Sequence, residues 1–171
     1  MCGIIGYIGK INQKTFKKAT NSLKHRGPDD IGFYFDKKNQ ISLGHTRLSI
    51  IDLSKNAKQP MKTNDNNLVL IFNGEIYNFI ELKKKLILLG HSFKSNSDSE
   101  VLLYLYKEYG VSMLKKLNGI FAFAIWDKQK KEVFIARDHF GIKPLYFLEN
   151  KNFFIFASEI KAIHSTTREI G

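Results

Sequence analysis

Two segments in the last third of the chain set the strongest limit on its fold. Ile120-Phe121-Ala122-Phe123-Ala124-Ile125 and Phe153-Phe154-Ile155-Phe156-Ala157 are apolar at every position. Beside them stand the polar clusters Asp127-Lys128-Gln129-Lys130 and Glu149-Asn150-Lys151-Asn152, which read as hairpin turns and so imply antiparallel neighbours. An antiparallel sheet with one wet face alternates apolar and polar residues. These runs do not alternate, so both faces of each strand need cover. Two antiparallel sheets packed together, with helices on the outer faces, provide it. The expected fold is α+β, a four-layer α/β/β/α sandwich, in one domain over residues 1–171.

The remaining pattern fits that scheme. Strands are expected at 3–8, 32–35, 41–45 and 68–72, then at 120–126, 132–136, 145–148 and 153–157. Phe16, Ala19 and Leu23 share one face of a helix over 15–23. A second helix reads as capped by Asn78, with Glu81 three residues on, and stops at Gly90; Leu82, Leu86 and Leu89 form its apolar face. A third starts at the capping-box pattern Ser97-Asp98-Ser99-Glu100 and stops at Gly110, with Val101, Leu102, Leu105 and Tyr109 inward. A short helix over 112–117 and a final one capped by Ser158 complete the set.

Bulk composition narrows the class. Hydrophobic residues make up 43% and charged residues 25%, the balance of a soluble globular domain. No apolar run reaches the length of a membrane span, and lysines at 10, 14, 17, 18 and 24 exclude a hydrophobic signal core. The expected compartment is the cytoplasm, without membrane attachment. The net charge of +11 comes from short lysine groups spread along the chain, not interleaved with aromatics, which argues against a nucleic-acid surface. The five histidines show no ligand spacing and the glycines no phosphate loop, so neither metal nor nucleotide is expected on this chain.

The single cysteine, Cys2, cannot form an internal disulfide. Elsewhere it would read as a small buried hydrophobe. At position 2 it has another use. If Met1 is removed, Cys2 carries a nucleophile and a base together, because a free α-amine titrates near about 7.7–8.0 and a thiol near about 8.5. Glycines around the terminus are expected to let a substrate approach the backbone. Asn73-Gly74, after an apolar strand, offers a side-chain NH₂ and a backbone N–H for an oxyanion. The same dipeptide alone favours a hairpin turn, although a helix follows it and not a second strand. Arg47 could grip a carboxylate with two bonds or serve as a surface ion pair. Glu75 or Asp98 could hold an ammonium, while Asp98 would also suit the first turn of a helix by its charge alone.

Six segments in order resemble a known family: Met1-Cys2-Gly3-Ile4-Ile5-Gly6, Arg26-Gly27-Pro28-Asp29, the stretch GHTRLSIID over 44–52, Asn73-Gly74-Glu75-Ile76-Tyr77-Asn78, Ser97-Asp98-Ser99-Glu100, and Arg137-Asp138-His139-Phe140-Gly141-Ile142-Lys143-Pro144-Leu145-Tyr146. They are similar to class II glutamine amidotransferases, most of all to the N-terminal domain of glutamine-hydrolysing asparagine synthetases. The resemblance implies the N-terminal-nucleophile sandwich and a reaction in which glutamine acylates Cys2, ammonia leaves and water releases glutamate. It implies Cys2 as nucleophile with its own amine as base, and Asn73 and Gly74 as oxyanion hole. Arg47 would hold the substrate carboxylate and Glu75 and Asp98 its ammonium, with Leu48, Ser49, Ile50 and Ile51 lining the pocket. It further implies L-glutamine as substrate and a C-terminal synthetase domain or subunit as partner. ATP and magnesium belong to that part and no cofactor to this chain; a homodimer is a candidate assembly. The acceptor is expected to be aspartate. Another acceptor, or a silent binding domain if Met1 stays, are the alternatives.

Overall fold

The computed structural model describes residues 1–167; the last four residues of the expected 1–171 domain lie outside the described residues. The elements run β1 (Gly3–Ile8), α1 (Gln13–Asn21), β2 (Asp30–Asp36), β3 (Ile41–Arg47), β4 (Met61–Lys62), β5 (Leu68–Ile76), α2 (Phe79–Leu88), α3 (Asp98–Tyr109), β6 (Gly119–Asp127), β7 (Glu132–Arg137), β8 (Tyr146–Glu149), β9 (Phe154–Ala157) and α4 (Ile160–Thr167). One sheet has the order β2-β3-β1-β9-β8 and the other β4-β5-β6-β7, with antiparallel pairs throughout. Among the described residues, no helix is long and apolar enough to cross a membrane.

Three apolar clusters fill the three spaces of the expected four-layer sandwich. Alternation along the central strands decides which residue enters which space. On β5, Leu68, Leu70 and Phe72 face α2 and α3, joined by Phe121, Phe123 and Ile125 of β6. The intervening Val69, Ile71, Ala122, Ala124 and Trp126 face the other sheet and meet Ile4, Leu43 and Phe156 there. On the far side of that sheet, Ile5, Tyr7, Ile155 and Ala157 pack on Phe16 and Ala19 of α1 and Ile163 of α4. The unbroken apolar run of β6 is thus the mark of a strand buried on both faces.

Several local expectations change. Strand β5 does not stop at Phe72 but runs through Asn73 and Gly74 to Ile76, paired with β6 at every step. The Asn-Gly pair makes no turn, because the pairing to β6 outweighs its local preference. Strand β3 likewise extends to Arg47, paired with Asp30. Asn78 makes no side-chain cap to α2; its amide bonds Lys116 O at 2.9 Å and accepts from Asn118 N at 3.1 Å. In the predicted apolar face of α2, Leu82 and Leu86 are buried, but Leu89 lies past the last helical residue and is exposed. Ser97 does cap α3, accepting from Ser99 N at 3.1 Å. Glu100 does not close the capping box; it turns back to Ser95 N at 2.8 Å and Lys94 N at 3.0 Å, fixing the loop before the helix. The expected helix over 112–117 is a 3₁₀ segment over Gly110–Lys116.

Candidate active site

The N-terminus is rooted in the middle of a sheet. Strand β1 is third of five, and its first residue, Gly3, pairs with Thr46 of β3. Cys2 therefore emerges beside the end of β3, where the chain turns into residues 48–54. Its Sγ accepts a hydrogen bond from Leu48 N at 3.4 Å and lies 3.7 Å from Leu48 O. The Cys2 carbonyl accepts from Arg26 Nε at 2.9 Å, and Arg26 Nη1 pairs with Glu159 at 3.0 Å. Burial pushes Glu159 up, but hydrogen bonds from Arg26, His25 and Lys161 outweigh it and hold the carboxyl down at about 2. Burial likewise pushes the Cys2 thiol up. The Leu48 N–H, the terminal charge and Arg47 pull it the other way without cancelling the rise. A thiol above its ordinary value is mostly protonated near neutrality and reacts only with a base at hand.

The wall facing Cys2 is the edge of β5. Strand β4 covers only Val69 and Leu70 of that edge. Beyond them Phe72 N donates to Gln59 Oε1 at 2.6 Å and Ile76 N to Asp98 Oδ2 at 3.1 Å. Backbone N–H groups along a strand point the same way at every second residue. Gly74 N–H lies between these two and so faces the same side. Asn73 is 1% exposed, and its Nδ2 is buried with no hydrogen-bond partner. Such a donor costs about 1–3 kcal/mol. It marks a place where a ligand oxygen would be stabilised.

Arg47 and Asp98 flank that wall. Arg47 is 8% exposed; Nη1 donates to Ser54 O at 3.2 Å and Nη2 to Asp52 O. Its partners are carbonyls, so the surface-ion-pair reading falls and the positive charge remains unanswered by them. Asp52 holds this loop in turn, accepting from Asn96 N at 2.9 Å and Ser54 N at 2.8 Å. Asp98 is buried, and desolvation raises it to about 6 against the pull of the Ile76 and Ser99 N–H groups, with nearby Glu75 raising it further. Cys2, Arg47, Leu48, Ile50, Ile51, Asn73, Gly74, Glu75 and Asp98 all line one cleft of about 140 Å³. Of the expected site, Ser49 alone is outside that lining; its N–H is tied to Asp29 Oδ2 at 2.7 Å.

Sequence reasoning did not foresee the supports. Gln59 bridges Phe72 N to Ser99 Oγ, the latter at 3.2 Å. Gly27 lets the 26–29 loop lie on the end of β3, since a Cβ there would stand 2.4 Å from Thr46 C and O. The motif Arg26-Gly27-Pro28-Asp29 thus holds Cys2 by one end and Ser49 by the other. The glycines near the terminus serve packing, not substrate approach. A Cβ on Gly3 would meet Thr46 Oγ1 at 2.6 Å, and one on Gly6 the Phe156 ring at 2.1 Å.

The cleft thus brings together a thiol, an unpartnered side-chain NH₂, a strand-edge N–H, a guanidinium and two carboxylates. A family model described as a glutamine amidotransferase domain matches residues 1–170. The chain is 44% identical to asparagine synthetase [glutamine-hydrolyzing] 2 of Bacillus subtilis over 96% of its length, and 36% identical to amidase chry2 of Gibberella zeae over 95%. It spans only 22% and 26% of those proteins. Among solved structures, a glutamine phosphoribosylpyrophosphate amidotransferase from B. subtilis superposes with a TM-score of 0.81, covering 97% of this chain and 44% of that one at 24% identity. That likeness carries the two-sheet sandwich, and the sequence relatives carry the kinship: this chain belongs to the class II glutamine amidotransferase domain family.

Proposed function

We propose that the chain hydrolyses L-glutamine to glutamate and ammonia through a thioester on Cys2, once Met1 is removed. The observation that carries this reading is the buried, unpartnered Asn73 Nδ2 in the wall of the cleft that also holds the Cys2 thiol. In this reading the α-amine of Cys2 takes the thiol proton and Sγ attacks the side-chain amide carbon. Asn73 Nδ2 and Gly74 N–H hold the oxyanion. The C–N bond breaks as the ammonium of Cys2 returns its proton to the leaving nitrogen, giving ammonia. Water, deprotonated by the same amine, then attacks the thioester carbon and Cys2 leaves as the thiol. Arg47 holds the substrate carboxylate, and Asp98 and Glu75 its ammonium.

The ammonia is used by an ATP- and magnesium-dependent synthetase domain or subunit in the cytoplasm, with aspartate as acceptor. The support is the run of asparagine synthetases among the relatives, including a second B. subtilis protein 40% identical over 99% of this chain. The kinship with amidase chry2 keeps a different acceptor as the second reading. The test is a glutaminase assay beside intact mass. Processed wild type should release ammonia and Cys2→Ala should not; equal release by both would end the proposal.

A further inference from the structure

The segment Arg137-Asp138-His139-Phe140-Gly141-Ile142-Lys143-Pro144 has no part in the reaction just described, yet it is built with unusual care. Asp138 accepts four backbone N–H groups: Phe121 at 3.2 Å, Phe140 at 3.2 Å, Ile142 at 2.9 Å and Lys143 at 3.0 Å. Arg137 Nε donates to Lys143 O at 2.7 Å, and its Nη2 to Gly141 O. Gly141, at φ +63°, makes the left-handed turn between them. Lys143 is therefore held at both its N–H and its carbonyl. Its side chain is half-buried, lines the cleft and reaches Met1 Sδ with Nζ at 3.4 Å.

We propose that Lys143 is a positioning residue of the glutaminase site, a cation carried on a fixed backbone that favours the unprotonated form of the Cys2 α-amine after Met1 is removed. The inference rests on the proposed glutaminase reading. A base must be neutral to accept the thiol proton, and a like charge nearby disfavours its protonation. Two other cations act on Cys2 in the same sense: Arg26, whose Nε donates to the Cys2 carbonyl at 2.9 Å, and Arg47. Arg26, from the loop before β2, is paired with Glu159 before α4. Arg47, at the end of β3, faces the carbonyls of Asp52 and Ser54, while the Asp52 carboxylate holds backbone N–H groups of that loop. Glu75 of β5 and Asp98 of α3 line the opposite wall, where glutamine's ammonium would meet them. Lys143 Nζ has the neutral Met1 sulfur as its partner, and loss of Met1 removes that partner while baring the amine one residue on. A single partly screened like charge beside an amine lowers it by about half to one pH unit.

The experiment uses the full chain with Met1 removal verified by mass. The rate of Cys2 acylation by a diazoketone analogue of glutamine is measured from pH 6 to 9 for wild type, Lys143→Met and Lys143→Arg. The acid limb of Lys143→Met should move up by about half to one unit, a 3- to 10-fold slower reaction near pH 6.5 that narrows toward pH 9. Lys143→Arg should follow wild type. A Lys143→Met profile that superimposes on wild type, or that is lowered equally at every pH, overturns the proposal. Wild type that fails to acylate at any pH sinks the glutaminase reading instead.

Discussion

Asp98 accepts a hydrogen bond from Ile76 N at 3.1 Å, which ties the first turn of α3 to the open edge of β5 beside the cleft. The cost is a carboxyl that burial lifts to about 6. Below that pH it is protonated and loses its attraction for an ammonium. Glutamine affinity should therefore rise as pH climbs through about 6, seen as a falling KM, and Asp98→Asn should raise KM at least about tenfold and flatten that dependence. A wild-type KM constant from pH 5 to 7.5 would count against the assignment.

The same group makes a stability prediction of opposite sense. Its folded value exceeds the unfolded one, near 3.8, so stability fully present below about 3.8 drains away as pH rises to about 6 and stays lost above it. Asp98→Asn keeps an acceptor for Ile76 N and removes a buried charge. At pH 7.5 it should melt no lower than wild type, while binding glutamine worse.

Asn73→Ala separates catalysis from folding. The side-chain NH₂ bonds nothing in the unliganded fold, so thermal stability should hold or improve. Loss of an oxyanion donor should lower kcat by about 10²- to 10³-fold with little change in KM. A clear drop in Tm with kcat preserved would reverse the roles.

Gly74→Ala should act through packing. A Cβ there would stand 2.3 Å from Ile120 O and 2.7 Å from Phe121 Cα on the paired strand. Overpacking of this kind costs about 1–3 kcal/mol, and backbone on one side leaves little room to relax. Denaturant midpoints would check it.

His45 supplies a third pH effect. It is 1% exposed between the sheets, and burial lowers it to about 4 while its Nε2 donates to Phe72 O at 3.0 Å. The unfolded chain binds the proton first, so stability present above about 6.5 drains away as pH falls toward 4, by a term on the order of 3 kcal/mol. Asp98 works the other way over much of this window. The slope should be read as the difference between wild type and His45→Gln.

The sandwich was legible because burial on both faces leaves a direct mark on strands such as 120–126. Which residues would meet in one cleft was legible too: all of the expected ones but Ser49 line it. What stayed hidden depends on distant partners. Asn-Gly as continuous strand needs β6, some 48 residues on, to hold it. The roles of Arg26 and Asp29 lie in Cys2 O and Ser49 N, 24 and 20 residues away. Leu89 fits the helical period by spacing but falls where α2 has already ended.

Most chain ends fray before the rest of a domain melts. Here Cys2, the proposed nucleophile, directly precedes β1, which is flanked on both sides by β3 and β9. Heat should therefore abolish the reaction and the cooperative structure together, with no earlier phase in which the terminus loosens alone. A fusion partner placed ahead of Cys2 would extend from the cleft that Met1 lines, the place proposed for glutamine.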